Sequence, residues 1–554
     1  HISNWDINKN HWLKVTSTYE DGDLAFIFYN DSNTKKIGLP ANGYVNILAY
    51  PEFKGSYMYI STISNKQGSF TIEQLPLYPG ALVFDGVDDW AGCDNLPLLP
   101  KEKGYSIIAL RNWITRYDAT QYKRPLISNL DTNDEGAFLI EYRKDENVND
   151  VTGSYNSFTD VYIDDNNPIT WQTSSSYNGQ IIKKGTSKST NKLCICKTYF
   201  GQLSNYANAA IWEIVILDHD ATEEELTKIK DYFVKTYPWL FPDQAWTVTG
   251  KTNEDEDRAT IANITGNGND LVLSNFGFAE GSGYGLYVEN YSNSRWFINN
   301  SITGTKKSDT FNVTSINQVA VQIQYIAEPS QSPYTVPSYT IKVTGLTDGQ
   351  TVNYRVSGGI SYPITQDGIY ILPGFDFAGM GSWYGFQFNK VQETCDITIE
   401  QIPEYEGYLV TDGVDDKIVS SVFGMGKDFT IVGDWKFIDN KKSGTGLVKG
   451  SSFYIYNTMI GLDLYINSGS VKNSLDGIKS INAACSDGRA YDRNWNEILA
   501  NTGNVVGSGG TLEVSSSGGR FDRIAFKNLA IYPRILSKDD CIKAYNYLQT
   551  LKAK

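Results

Sequence analysis

The chain has 554 residues, enough for several domains, because single hydrophobic cores stop growing near about 250 to 300 residues. An apolar content of 41% allows cores to form, and 37 Tyr, 12 Trp and 49 Gly with only 4 Met predict many short strands and turns. A formal net charge of −15 counts against duplex nucleic acid or an anionic membrane as the main partner, and no apolar run reaches the roughly 18 residues that membrane insertion needs.

Position 1 is His1, and no signal-peptide pattern follows it, so the expectation is a processed chain or a fragment. Residues 1–76 read as a small β-sandwich domain. Strands are expected over 13–16, 24–29, 44–50 and 57–63, with Asp21-Gly22 and Asn42-Gly43 as turns. The same grammar returns at 341–344, at Asp348-Gly349 and at Asp367-Gly368. The second occurrence is preceded by β-like sequence at 311–313 and 319–325, for which the first has little room. The chain is therefore expected to begin partway through a module.

Residues 71–89, TIEQLPLYPGALVFDGVDD, recur as residues 398–416, TIEQIPEYEGYLVTDGVDD, with 14 of the 19 positions identical. Each copy runs from a short β segment through a Pro/Gly hinge into a second β segment ending in Asp-Gly-Val-Asp-Asp. The Asp-Gly pair marks a turn, since Gly tolerates positive φ and Asp bonds its own backbone.

Residues 77–241 form a larger domain with strands expected over 105–113, 138–142, 160–163, 193–198 and 210–217. Thr222-x-x-Glu225 is a capping box opening a helix with Leu226, Ile229 and Phe233 on one face. The chain ends in the same way: a strand over 524–531 leads to Ser537-x-x-Asp540, then Ile542, Tyr545 and Leu548 on one face. Many strands with one terminal helix per unit predict two-sheet sandwiches.

Six Cys in so long a chain make no disulfide framework. Cys194 and Cys196 lie on one face of an expected strand and read as buried thiols rather than half a metal site. The acidic run Glu254-Asp255-Glu256-Asp257 has oxygen ligands of the kind Ca²⁺ wants, but not EF-hand spacing, and reads as a solvated loop. Gly250-Lys251-Thr252 is no P-loop, because no G-x-x-x-x-G precedes it.

Thr265-Gly-Asn-Gly-Asn-Asp-Leu271, Leu-Val-x-Asp-Gly-Val-Asp-Asp, the strand over 428–435 and Phe521-Asp-Arg-Ile524 before a capped helix together resemble the laminin-G-like jelly rolls of the concanavalin A-like lectin/glucanase superfamily. The first unit matches through 82–89, 105–113 and 212–225. The resemblance implies an all-β chain of tandem jelly-roll sandwiches alternating with small β-sandwich domains, one short C-terminal helix per jelly roll. In that family the Gly-Asn-Gly-Asn-Asp segment lies close to the Asp-Gly strand, whereas here residues 270–409 separate them. Residues 243–285 are therefore expected to belong with 405–554, a small domain over 286–404 interrupting them. Arrays of this type also resemble structural and receptor-binding proteins of phages infecting gut Bacteroidetes.

Glucanases of this fold resemble one another in an E-x-D-x-x-E strand motif, whose two carboxylates must lie about 5 Å apart for retaining chemistry. No Glu here has Asp two residues on; G-x-S-x-G and H-E-x-x-H are absent too, so no enzyme is expected. Asp85, Asp88 and Asp89, with Asp412, Asp415 and Asp416, are the best-defined polar clusters. They either hold Ca²⁺ or a sugar hydroxyl, as laminin-G relatives imply, or cap a strand end and tie down the next loop. Glycan sites pair aromatic platforms with carboxylates or amides. Candidates are Tyr155, Trp171 and Tyr177 with Asp164 and Asp165 in the first unit, and Tyr491 and Trp495 with Asp492 and Arg493 in the second. Trp113 and Trp435 read as core residues at equivalent strand positions. The expectation is a non-catalytic, homo-oligomeric virion fibre or decoration protein binding cell-surface glycans alongside other virion proteins. A bacterial surface adhesin and a purely structural spacer are the alternatives.

Overall fold

The computed structural model describes the chain outside residues 1–4, 8–10, 22, 31–32, 48–52, 54–56, 63–66, 98–104, 115–123, 130–137, 143–155, 160–168, 174–190, 199–205, 279–280, 327–333, 358, 378–382, 439–444, 450–452, 458–460, 467–471, 477–480, 500–508, 515, 518–519 and 554. The chain is all-β, as its composition predicts, with two α-helices among the described residues. Both helices start where the caps place them. Glu223–Thr236 opens on a complete Thr222/Glu225 capping box, and Lys538–Leu548 on Ser537, whose side chain accepts from the Asp540 N–H.

The first small domain is two three-stranded sheets. One sets His11–Ser17 between Asn42–Ile47 and Phe70–Gln74, and the other sets Leu24–Asn30 between Asn33–Leu39 and Tyr57–Thr62. Asn42-Gly43 is not the expected turn but the start of a strand. The Asn42 side chain is spent on the neighbouring strand, accepting from the Ser17 N–H (3.1 Å) and donating to the Ser17 carbonyl (3.1 Å).

The first large unit faces the sheet Ile169–Thr173, Ser106–Trp113, Asn208–Leu217, Leu82–Asp85 against the sheet Asn156–Thr159, Phe138–Tyr142, Arg124–Ser128, Leu193–Ile195, Ala91–Cys93. The second large unit has two eight-stranded sheets. In one of them Gly283–Leu286 pairs with Glu404–Val410, and Gln244–Thr247 pairs with Ile524–Tyr532. In the other, Leu271–Ser274 pairs with Lys417–Ser420. Residues 287–403 lie between these partners in sequence and carry their own two five-stranded sheets around a separate aromatic-rich core.

The central strands read as continuous apolar runs because both of their faces are buried. Along Ser106–Trp113, Ile107 and Ala109 face the core between the two sheets of the first unit. Ile108 and Leu110 face a second core shared with Trp12, the two helices and the second unit. Ile524–Tyr532 alternates in the same way, Leu529 and Ile531 inward, Ala530 and Tyr532 into the shared core. The Tyr545 ring lies edge-on between Trp12 (5.3 Å) and Trp495 (5.6 Å), which ties the first small domain to the last helix.

All six Cys are free thiols. Cys194 and Cys196 are buried, and desolvation pushes the Cys194 thiol up to about 11. Trp113 and Trp435 are both core residues, but not equivalent ones. With Thr222 matched to Ser537, Trp113, opposite Ala209, corresponds to Phe437, opposite Ile524. The partner strands bulge at matching places, past Trp212 and past Lys527, so the two registers stay in step and Trp435 corresponds to Arg111.

Candidate functional site: the two Asp-Gly-Val-Asp-Asp rims

In each copy a Pro/Gly or Glu/Gly hinge turns the chain into the strand, using Gly80 (φ +77°) and Gly407 (φ +74°), a region that only glycine enters without strain. The strand then ends in a loop closed by its own carboxylates. Asp85 Oδ1 accepts from the Val87 N–H (2.7 Å) and the Asp88 N–H (3.4 Å), while Asp89 Oδ2 accepts from the Asp85 N–H (3.3 Å). The second copy repeats every bond: Asp412 Oδ1 with the Val414 N–H (2.7 Å) and Asp415 N–H (3.3 Å), and Asp416 Oδ2 with the Asp412 N–H (2.6 Å). The backbone donors, that of Val87 foremost, hold the Asp85 carboxyl below its ordinary value.

Within each trio carboxylate oxygens approach within 4.8 Å of one another, close enough to share a cation. Calcium takes six to eight oxygens. Here the first and last Asp of each trio already face backbone N–H groups, whose positive ends compete with a cation for the same oxygens. The donor set therefore fits a strand-end cap better than a calcium site.

The surroundings of the two loops differ. Asp89 is exposed, whereas Asp416 is buried, its Oδ1 without a hydrogen-bond partner, and desolvation pushes its carboxyl up to about 7. The next residue is Trp90 in the first rim and Lys417 in the second. Trp90 is 44% exposed and carries the Lys197 ammonium 5.0 Å from its ring centroid; the same ammonium lies 5.1 Å from the Tyr206 ring. A wide indole face, a cation and the exposed Asp85, Asp88 and Asp89 thus share one edge of the first unit.

Of the expected glycan platforms, Tyr155, Asp164, Asp165 and Tyr177 lie outside the described residues. Trp171 sits in the strand Ile169–Thr173, its backbone opposite Ile108. Tyr491 and Trp495 are corrected: both are buried in the shared core, so neither offers a face to a sugar. Asp492 accepts from the N–H groups of Asn494 and Asn496 (both 2.8 Å), which shapes the turn that points Trp495 inward; Arg493 is exposed beside it. Trp90 was legible as the residue that breaks the repeat just past its last shared position.

No protein-family model matches this chain, and no curated protein matches it. Solved structures with some similarity include a Trypanosoma rangeli sialidase in complex with sialic acid, at 9% identity over 53% of this chain and 68% of that one, with a TM-score of 0.18. Another is the tandem CBM22 domain from Paenibacillus barcinonensis Xyn10C, at 9% identity over 46% of this chain and 98% of that one, with a TM-score of 0.12. Overlap at this level carries no conclusion about the chain's ligand or chemistry.

Proposed function

We propose that the chain is a non-catalytic, extracellular fibre or decoration protein of a virion, presenting its β-sandwiches to host cell-surface glycans. The observation that carries the recognition part is the Trp90 rim. The half-exposed indole, one face of which carries the Lys197 ammonium, offers its remaining exposed surface to the apolar face of a sugar, while Asp88 and Asp89 beside it bond hydroxyls and Lys197 an acidic substituent. Non-catalytic action rests on the lack of an E-x-D-x-x-E strand or any other familiar catalytic motif in the sequence. The virion placement rests on the resemblance of the repeats to phage proteins.

The test is a glycan-array and whole-cell binding assay of the intact chain and its Trp90→Ala variant, with and without calcium. Saturable binding lost in Trp90→Ala supports the reading, and binding undiminished by that change overturns the site. Antibody to the chain that labels phage particles supports the virion; labelling confined to bacterial surfaces makes the protein an adhesin.

The shared core of Trp12, Trp495 and Tyr545 favours a second reading, a rigid structural spacer. Stable oligomers with no glycan or cell binding would establish it.

A further inference from the structure

The two large units share one strand register at their rims. Leu82 and Val83 pair with Ile211 and Ala210; Leu409 and Val410 pair with Phe526 and Ala525. The residue types are the same and so is the register, yet Leu82 is 57% and Val83 46% exposed, whereas Leu409 and Val410 are both 0% exposed. The cause is on the other side of the strand. Gly283 and Tyr284 pair with Val410 and Leu409, while among the described residues no strand pairs with the outer side of Leu82–Asp85.

The opposite sheet repeats this asymmetry. Lys417–Ser420 is covered by Leu271–Ser274, but its counterpart Ala91–Cys93 is an edge strand among the described residues, with Gly92 and Cys93 exposed. One continuous segment, residues 268–286, thus covers an edge of both sheets of the second unit, and among the described residues both matching edges of the first unit are open. The small domain adds an independent instance. Ile397 pairs with Val313 and is buried, while its counterpart Phe70 is exposed on a strand that is an edge among the described residues.

We infer that the first large unit is a strand acceptor, completed by a donor polypeptide with the pattern of residues 268–286. The donor is a pair of short strands that carries apolar side chains at the positions of Leu271, Leu273 and Tyr284. Main-chain hydrogen bonds to the open edges supply affinity, and the alternate apolar side chains supply register. A second copy of this chain does not fit the role. Its 268–286 segment already buries Leu271, Leu273 and Tyr284 in its own core, so donating it opens an equal gap. Docking leaves Trp90 and Asp88 accessible, because Lys417 and Asp415 at the matching positions stay exposed although Lys417 pairs with Ser274, and it covers Asp89 as Asp416 is covered.

The test uses the full 554-residue chain and a synthetic peptide of residues 268–286, read by calorimetry and by backbone hydrogen exchange. The expected result is saturable one-to-one binding that protects Leu82–Asp85 and Ala91–Cys93. Affinity falls at least tenfold in Leu82→Lys and in Val83→Lys, and a peptide carrying Leu271→Asp and Tyr284→Asp does not bind. Both positions are exposed, so either variant should fold, and its unchanged melting curve verifies this. Absence of binding, or binding equal in wild type and both variants, overturns the inference. Self-association of the chain that Leu82→Lys abolishes also overturns it, by assigning the edge to a second copy.

Discussion

The two Asp-Gly-Val-Asp-Asp rims have the same loop, bond for bond, and opposite surroundings. In the second, Leu409, Val410 and Asp416 are sealed beneath strands from residues 260–286; in the first, Leu82, Val83 and Asp89 face solvent and Trp90 replaces Lys417. The loop hydrogen bonds survive both settings, so they are a property of the motif. Burial, titration and ligand access are properties of what covers it. A repeated motif therefore identifies a shared structural device, and the residues that break the repeat mark where the copies diverge in use.

The largest effect that separates buried from exposed aromatics is expected on replacing Trp495 and Trp90. Trp495→Ala removes a ring from the core between domains and should cost about 3 to 5 kcal/mol, while Trp90→Ala, which loses the contact with Lys197, should cost only about 1 kcal/mol. Chemical denaturation followed by tryptophan fluorescence and circular dichroism measures both. Next, Leu409→Ala should cost roughly 2 to 5 kcal/mol, while Leu82→Ala, at the same register position, should cost under about 1 kcal/mol. Equal costs would mean that the first edge is already covered.

Acidity provides a third contrast. The Asp416 carboxyl is raised to about 7 in the folded chain from an ordinary 3.8, so between those values the folded state holds a proton that the unfolded state releases. Its contribution to stability is thus lost as pH rises through that window and levels off above about 7, on the order of 2 to 4 kcal/mol in all. Asp416→Asn, neutral throughout, should flatten that part of the stability profile. The smallest expected effect is that of calcium. With both carboxylate sets engaged by backbone N–H groups, saturating Ca²⁺ should shift the melting temperature by less than about 1 °C. A shift of several degrees would make either loop a metal site.

The sequence displayed the repeat, both helix caps and the all-β class because each is written in local residue chemistry: Asp-Gly turns, Thr222 and Ser537 caps, and apolar runs of strand length. It did not display the Asn33–Leu39 strand, whose Thr34, Lys35 and Lys36 lie on an exposed edge where no apolar pattern is required. Nor did it reveal that Tyr491 and Trp495 are core. That follows from the docking of the last helix and of Trp12 against them, contacts made over hundreds of residues of separation in the case of Trp12. The repeat does not mark Trp90, which lies one residue past its last shared position.

The most direct test exchanges the residues that distinguish the rims. Trp90→Lys and Lys417→Trp are assayed for binding to the same surface glycans as the intact chain. The account predicts that Trp90→Lys abolishes binding while Lys417→Trp leaves it intact, since Lys417 lies outside the recognising rim. Full binding by Trp90→Lys would contradict it and move recognition away from the first rim.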